Sequence, residues 1–197
     1  GLTYLDYFGK LAHGMILFYA YQDDACRALV ESRLPAFKHS VRLYCSGHTL
    51  LALIALDAND PDKAYISSSE MVRLENISDS GRFSAYGLHA LVLTALGRMD
   101  EAIEWGQRAF EYDTPGFMDP FGEVTYLGLA RAFSAAGDQP RAREIVERFW
   151  NMFLSMPLDH EAYPRRRIFR DLAALAESFG LPKARVRASG NSLPEGQ

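Results

Sequence analysis

Cysteine is scarce in this sequence, and long uncharged runs are missing. The 197 residues include two cysteines, Cys26 and Cys45, which allow at most one disulfide. A disulfide-stapled scaffold is therefore excluded, and we expect both thiols to be small buried side chains in a reducing, cytoplasmic compartment. The longest uncharged segments, 11–22, 43–56 and 83–97, have 12 to 15 residues, fewer than the roughly 20 that span a bilayer. No membrane segment is expected.

Motifs that would signal catalysis or a cofactor are also lacking. Neither glycine-rich phosphate loop occurs, and no Gly-x-Ser-x-Gly nucleophile elbow is present. The five histidines include no pair at the spacing of metal ligands. We therefore expect a protein without enzymatic activity, cofactor or metal. His13, His48 and His89 are predicted to pack between helices, with a pH-sensing or ligand-binding role as the alternative.

Charge is distributed unevenly along the chain. The formal net charge is −4, which argues against nucleic acid as the main partner because phosphate-binding proteins are usually basic. The segment 165–187 nevertheless has seven positive and two negative residues, a net +5, and the rest of the chain has a net −9. Four arginines of this segment form the predicted basic patch: Arg165, Arg166, Arg167 and Arg170.

Two interpretations of the basic patch are open. The arginines either pair with the acidic neighbouring repeat or face solvent, or they dock an acidic partner segment or a phosphate group through bidentate hydrogen bonds. The overlapping segment 172–187 has a spacing typical of a DNA-binding helix-turn-helix. Its alternative interpretation is a terminal, half-length repeat.

Apolar residues recur at helical spacing, and the alternating pattern typical of strands is scarce. Polar residues precede proline, as at helix N-termini, in Asp60-Pro61, Asp119-Pro120 and Gln139-Pro140. Glycine is predicted to end helices in the left-handed conformation at Gly97, Gly137 and Gly180. The sequence therefore predicts an all-α protein built of short helices.

A short turn followed by a small residue recurs along the chain. The segments 96–103 and 136–143 align, each with a glycine followed five residues later by an alanine. The same frame fits near residues 21, 59 and 180, with anchoring alanines at Ala25, Ala64, Ala102, Ala142 and Ala184. These alanines are 38 to 42 residues apart, which indicates an internal repeat of helix pairs that stack on their neighbours.

The segment Tyr86–Asp113 resembles one nearly complete tetratricopeptide repeat, because small residues occupy that family's small positions at Ala90, Gly97, Ala102 and Ala109. The resemblance implies a right-handed α-solenoid of about five helix-turn-helix repeats over residues 1–188, with a flexible C-terminal tail over 189–197. The period of 38 to 42 residues is longer than that family's usual repeat, and it is similar to the period of the superhelical sensor and regulatory regions of large bacterial transcription activators.

The resemblance also implies a function, namely a protein-interaction or regulatory scaffold whose first helices line a concave groove for a partner segment. Carrying the family's groove positions across gives Tyr7, Lys10, Ser46, Thr49, Leu53, Ser84, Gly87, Leu91, Leu127 and Arg131. The alternative is a ligand-sensing regulatory domain of a larger bacterial signalling or transcription protein. Six aromatic residues within the first 21 indicate either packing of the first repeat or contact with an upstream domain or a second copy.

Overall fold

The computed structural model describes residues 4–74, 76–113, 121–155 and 167–181. This part of the chain contains helices and no strand, so the all-α prediction is confirmed for it. The helices are α1 (Tyr4–Tyr19), α2 (Asp23–Phe37), α3 (Val41–Asp57), α4 (Pro61–Val72), α5 (Asp79–Ala95), α6 (Met99–Phe110), α7 (Glu123–Ala135), α8 (Gln139–Ser155) and α9 (Arg167–Ser178). Over the same residues, no helix combines the length and apolarity that crossing a bilayer requires.

The helices pack as hairpins that lie side by side. Each helix contacts the next one along the chain, and each odd-numbered helix also contacts the next odd-numbered helix. The chain is therefore a helical repeat with the pairs α1/α2, α3/α4, α5/α6 and α7/α8, followed by α9. The odd-numbered helices form the inner layer, since every residue of the segments 83–93 and 123–130 is buried.

The turn that follows each odd-numbered helix has the same backbone geometry. The torsion angle φ is positive at Tyr21 (59°), Asn59 (56°), Gly97 (76°), Gly137 (82°) and Gly180 (70°). In each turn the N–H of this residue donates to the carbonyl three residues earlier, and the following N–H donates to the carbonyl five residues earlier, at 2.8–3.1 Å. This double hydrogen bond satisfies the last carbonyls of the first helix. The turns predicted at all five places are confirmed.

The first repeat has its small residue one position later than the sequence alignment predicts. Five residues after the positive-φ position, Ala64, Ala102 and Ala142 are fully buried. The same position in the first repeat is Cys26, which is also fully buried and whose Sγ donates to a backbone carbonyl of α1 at 3.1 Å. Ala25 is exposed, so its assignment as an anchor is wrong. The sequence alignment was based on alanine, but a thiol is also small and apolar enough to fit where the two helices touch.

The helix N-terminus follows the prediction in α4 but not in α8. In α4 the Asp60 carboxylate accepts a hydrogen bond from the N–H three residues on, at 3.2 Å. In α8 the equivalent cap is Asp138, which accepts from the N–H of Arg141 at 3.1 Å, and Gln139 is already helical. Both caps come directly after the positive-φ residue, so the turn decides where the second helix begins. The predicted cap Asp119 lies outside the described residues.

The inner helices α5 and α7 approach each other closely. A Cβ on Gly87 would overlap both the backbone and the side chain of Thr125, and a Cβ on Gly128 would meet the carbonyl oxygen of Gly87. The Thr125 hydroxyl donates to the carbonyl of Phe83 across this contact, at 2.8 Å. Gly87, a predicted groove residue, therefore lies in a buried helix contact, where it sets the distance between two inner helices.

We expect Gly87→Ala to destabilise the protein by about 1–3 kcal/mol, because the new methyl group overlaps Thr125 and the helices must separate. The matched control is Gly9→Ala in α1, where a Cβ meets nothing within 4 Å. Helix propensity alone should make that variant up to about 1 kcal/mol more stable. The measurement is urea unfolding followed by circular dichroism, and equal effects at the two glycines would contradict the close approach.

Candidate functional site

A cavity of about 440 Å³ lies where the N-terminal halves of α1, α3 and α5 meet the connection between α4 and α5. Three of the predicted groove residues line it, namely Ser46, Thr49 and Ser84. The volume falls within the range of roughly 300–1,000 Å³ that small-molecule sites occupy. The prediction that first helices of successive repeats share one face therefore leads to a partly open cavity on that face.

The register of the repeats explains which side chains reach the cavity. Ser46 and Ser84 are equivalent, each lying 18 residues before the buried small residue of its repeat. Counted in the same way from Cys26, the equivalent position in the first repeat is Phe8, which also lines the cavity. Equivalent positions thus face the same space in three successive repeats.

Two predicted groove residues of α1, Tyr7 and Lys10, are not at the cavity. The Tyr7 ring packs edge-on against Phe37 of α2, with the ring centroids 6.3 Å apart. Lys10 is exposed and is absent from the cavity wall. Their places are taken by Phe8 and Leu11, one residue further along the helix. The difference follows from the one-residue error in the anchor of the first repeat, because a shift of one residue turns a helical side chain by about 100°.

The floor of the cavity is apolar, and its walls carry several hydroxyl groups. Leu11, Met71 and Phe121 are buried side chains of the lining. The Thr49 hydroxyl donates to the backbone carbonyl four residues earlier at 3.0 Å. Ser84 is 6% exposed, and its Oγ has no hydrogen-bond partner among the described residues. A buried hydroxyl without a partner is costly, so a polar ligand group that paired with it would be favoured.

The C-terminal halves of the inner helices are filled instead. The predicted groove residues Leu53 and Leu91 are buried in the C-terminal halves of α3 and α5, and together with the buried Leu127 of α7 they line a space of only about 60 Å³. The predicted groove residue Arg131 is half-buried and forms an ion pair with Asp171 of α9 at 2.6 Å. This part of the predicted groove is therefore occupied by the protein's own side chains.

The basic patch is described only at its C-terminal end. Arg165 and Arg166 lie outside the described residues, and of Arg167 only the backbone, which begins α9, is described. The guanidinium of Arg170 lies over the ring of Tyr21, 5.2 Å from the ring centroid. Because Tyr21 is in the turn of the first repeat, Arg170 joins the last described helix to the first pair.

Two of the three predicted packing histidines are buried, and His13 is exposed, so its predicted packing is wrong. The Nδ1 of His89 lies 2.9 Å from the hydroxyl of Ser68, and its ring packs against Tyr65 and Trp105. Ser68 is fully buried and His89 is 4% exposed, so this serine–histidine pair lies within the packing between helices. No group of three or more potential metal ligands occurs among the described residues.

The buried histidines favour their neutral forms. Burial, reinforced by the nearby positive charge of Arg98, lowers the pKa of His89 to about 4. Burial likewise lowers the pKa of His48, whose ring packs edge-on against Tyr44 with the centroids 4.4 Å apart. His89 thus lies in a contact between helices, as the sequence predicts, whereas His48 is buried against a residue of its own helix.

Comparison with known proteins supplies no identity for this site. No protein family matches the chain, and no curated protein or solved structure matches it either. The tetratricopeptide resemblance therefore stays a prediction. A function has to be inferred from the geometry of the cavity and of the face on which it lies.

Acid should destabilise the protein through His89. The pKa of this histidine is about 6.5 in the unfolded chain and about 4 in the folded one, so between these values the unfolded chain binds a proton and the folded chain does not. We expect this residue to cost about 2 kcal/mol of unfolding free energy between pH 8 and pH 5. Urea unfolding of the native sequence and of His89→Gln at both pH values measures it. An equal loss in the two proteins would show that His89 does not carry the effect.

Proposed function

We propose that this chain is a non-catalytic, ligand-sensing regulatory module, built as a right-handed, tetratricopeptide-like solenoid. The observation that carries the proposal is the cavity among α1, α3 and α5. Side chains of three successive repeats surround one space, so a molecule bound there contacts all three. An apolar floor with a few hydroxyl groups is typical of sites for small molecules.

The filled half of the inner face favours a small ligand over a long partner segment. Leu53, Leu91 and Leu127 are buried, and Arg131 is paired with Asp171. A peptide lying across all the repeats would have to displace these contacts, whereas a small molecule needs only the cavity. We therefore infer ligand sensing as the main function and partner docking as the alternative.

The packing of the repeats suggests how binding would be transmitted. Each inner helix packs directly on the next inner helix, and Arg170 connects the last described helix to the turn of the first pair. A ligand held by three repeats would favour the arrangement of helices that fits it best. An attached effector domain would then respond to the change in the populations of the two helix arrangements. The size of that change is limited by the difference between the ligand's affinities for the two arrangements.

Docking of a protein partner is a second proposal, supported by the surface of α1. Two large apolar side chains of this helix face solvent, Phe8 at 46% exposure and Ile16 at 65%. Phe8 also lines the cavity, so an apolar side chain of a partner could enter beside it. An upstream domain or a second copy of the chain would be such a partner.

The cavity should bind a neutral apolar dye such as Nile red saturably, with one dye per chain. Ser46→Phe, which places a ring in the half-open wall, should weaken that binding about tenfold or more. Ser84→Leu, which places a larger apolar side chain in the wall, should act in the same direction. Dye fluorescence during titration measures the affinity.

The matched control for the dye experiment is Ser32→Phe, because Ser32 is exposed on α2 and is absent from the cavity wall. It should bind the dye as the native sequence does. Circular dichroism should show an unchanged helix content in the variants compared. Equal dye affinity in Ser46→Phe and Ser32→Phe would exclude the cavity as the binding site.

A further inference from the structure

The described residues of the cavity wall carry positive charge and no negative charge. Among the described residues of its wall, Arg42 in the first turn of α3 carries the only formal charge. Its side chain is exposed, and within the described part of the chain no carboxylate forms an ion pair with it. A guanidinium at the mouth of an apolar space is suited to hold an anionic group, since it donates two parallel hydrogen bonds to a carboxylate.

Two helix N-termini reinforce the positive potential beside Arg42. The cavity wall includes the first turns of α3 and α5, whose caps are Ser40 and Ser78. The N-terminus of a helix carries about half a positive charge, which favours an anion nearby. The first turn of α3 has no acidic residue to offset it. Asp79 in the first turn of α5 is exposed and is not part of the wall.

The interior of the cavity has the opposite character. Leu11, Met71, Ile77 and Phe121 are buried in its wall and present apolar surface. A ligand that leaves these side chains facing water gains nothing from them, whereas an apolar body is bound more tightly the more of this surface it covers. The space therefore has an apolar depth and a cationic mouth.

We propose that the ligand of this cavity is a small amphipathic carboxylate, with its apolar body against Leu11, Met71 and Phe121 and its carboxylate on Arg42. This inference rests on the proposed ligand-sensing function and specifies the ligand class. The unpartnered hydroxyl of Ser84 takes a polar atom of the ligand where one lies at that depth. A cationic ligand of the same shape is repelled at the mouth, and a neutral one lacks the bond to Arg42.

Three probes of equal chain length test the proposal on the full chain, namely octanoate, octanol and octylammonium, each titrated calorimetrically. Octanoate should bind about tenfold more tightly than octanol, because only its carboxylate accepts charge-assisted hydrogen bonds from Arg42. Octylammonium should bind more weakly than octanol. Added salt should weaken the binding of octanoate and leave that of octanol nearly unchanged.

Substitution of the arginine provides the decisive comparison. Arg42→Gln should remove the preference for octanoate and preserve the affinity for octanol, and Arg42→Lys should keep part of the preference, because the charge remains without the paired hydrogen bonds. The control Arg143→Gln removes an exposed charge of the same sign from α8, outside the cavity wall, and should leave all three affinities unchanged. Circular dichroism checks that each variant is folded.

The outcomes separate this inference from the proposed function. If octanol binds as tightly as octanoate, or if Arg42→Gln keeps the preference, the carboxylate assignment is overturned and the cavity remains a binding site. If Nile red binds but none of the three probes does, the ligand class is likewise overturned. If neither Nile red nor the probes bind, the proposed function itself fails.

Discussion

A turn with one positive φ angle ends the first helix of each repeat and sets how the repeats pack. A residue with positive φ allows two consecutive amides to reach back to the end of the first helix, and the second helix starts immediately afterwards. Five residues beyond it, in the repeats where that position is described, a fully buried Cys26, Ala64, Ala102 or Ala142 lets the helices touch. Because this geometry recurs, equivalent residues of successive repeats face the same side, and the inner helices stack on one another.

Side-chain size then decides what happens on the inner face. Leucine occupies it in the C-terminal halves of α3 and α5, at Leu53 and Leu91, and the helices close around these side chains. Ser46, Thr49 and Ser84 occupy it in the N-terminal halves, where their smaller side chains leave the cavity unfilled. A regular backbone thus carries a packed half and an open half. The open half, with Arg42 at its mouth, is the part of the inner face that has room for a ligand.

Sequence periodicity predicted the repeat well where the turn contains glycine or asparagine. In the frames around Asn59 and Gly97, the groove positions implied by the tetratricopeptide resemblance were Ser46, Thr49 and Ser84, and all three line the cavity. The first repeat was misplaced by one residue, because Tyr21 adopts a conformation that favours glycine and Cys26 takes the place of alanine. Counting a buried thiol as a small residue would have found Phe8 and Leu11.

The all-α class, the turns, the cap at Asp60 and the spacing of the repeats could be predicted from the sequence, because each depends on a few neighbouring residues. Which part of the inner face is open depends instead on packing between distant segments. The ion pair of Arg131 with Asp171 joins residues 40 positions apart, and the contact of Arg170 with Tyr21 joins the last described helix to the first pair. Such contacts depend on the accumulated curvature of several repeats, which no local pattern encodes.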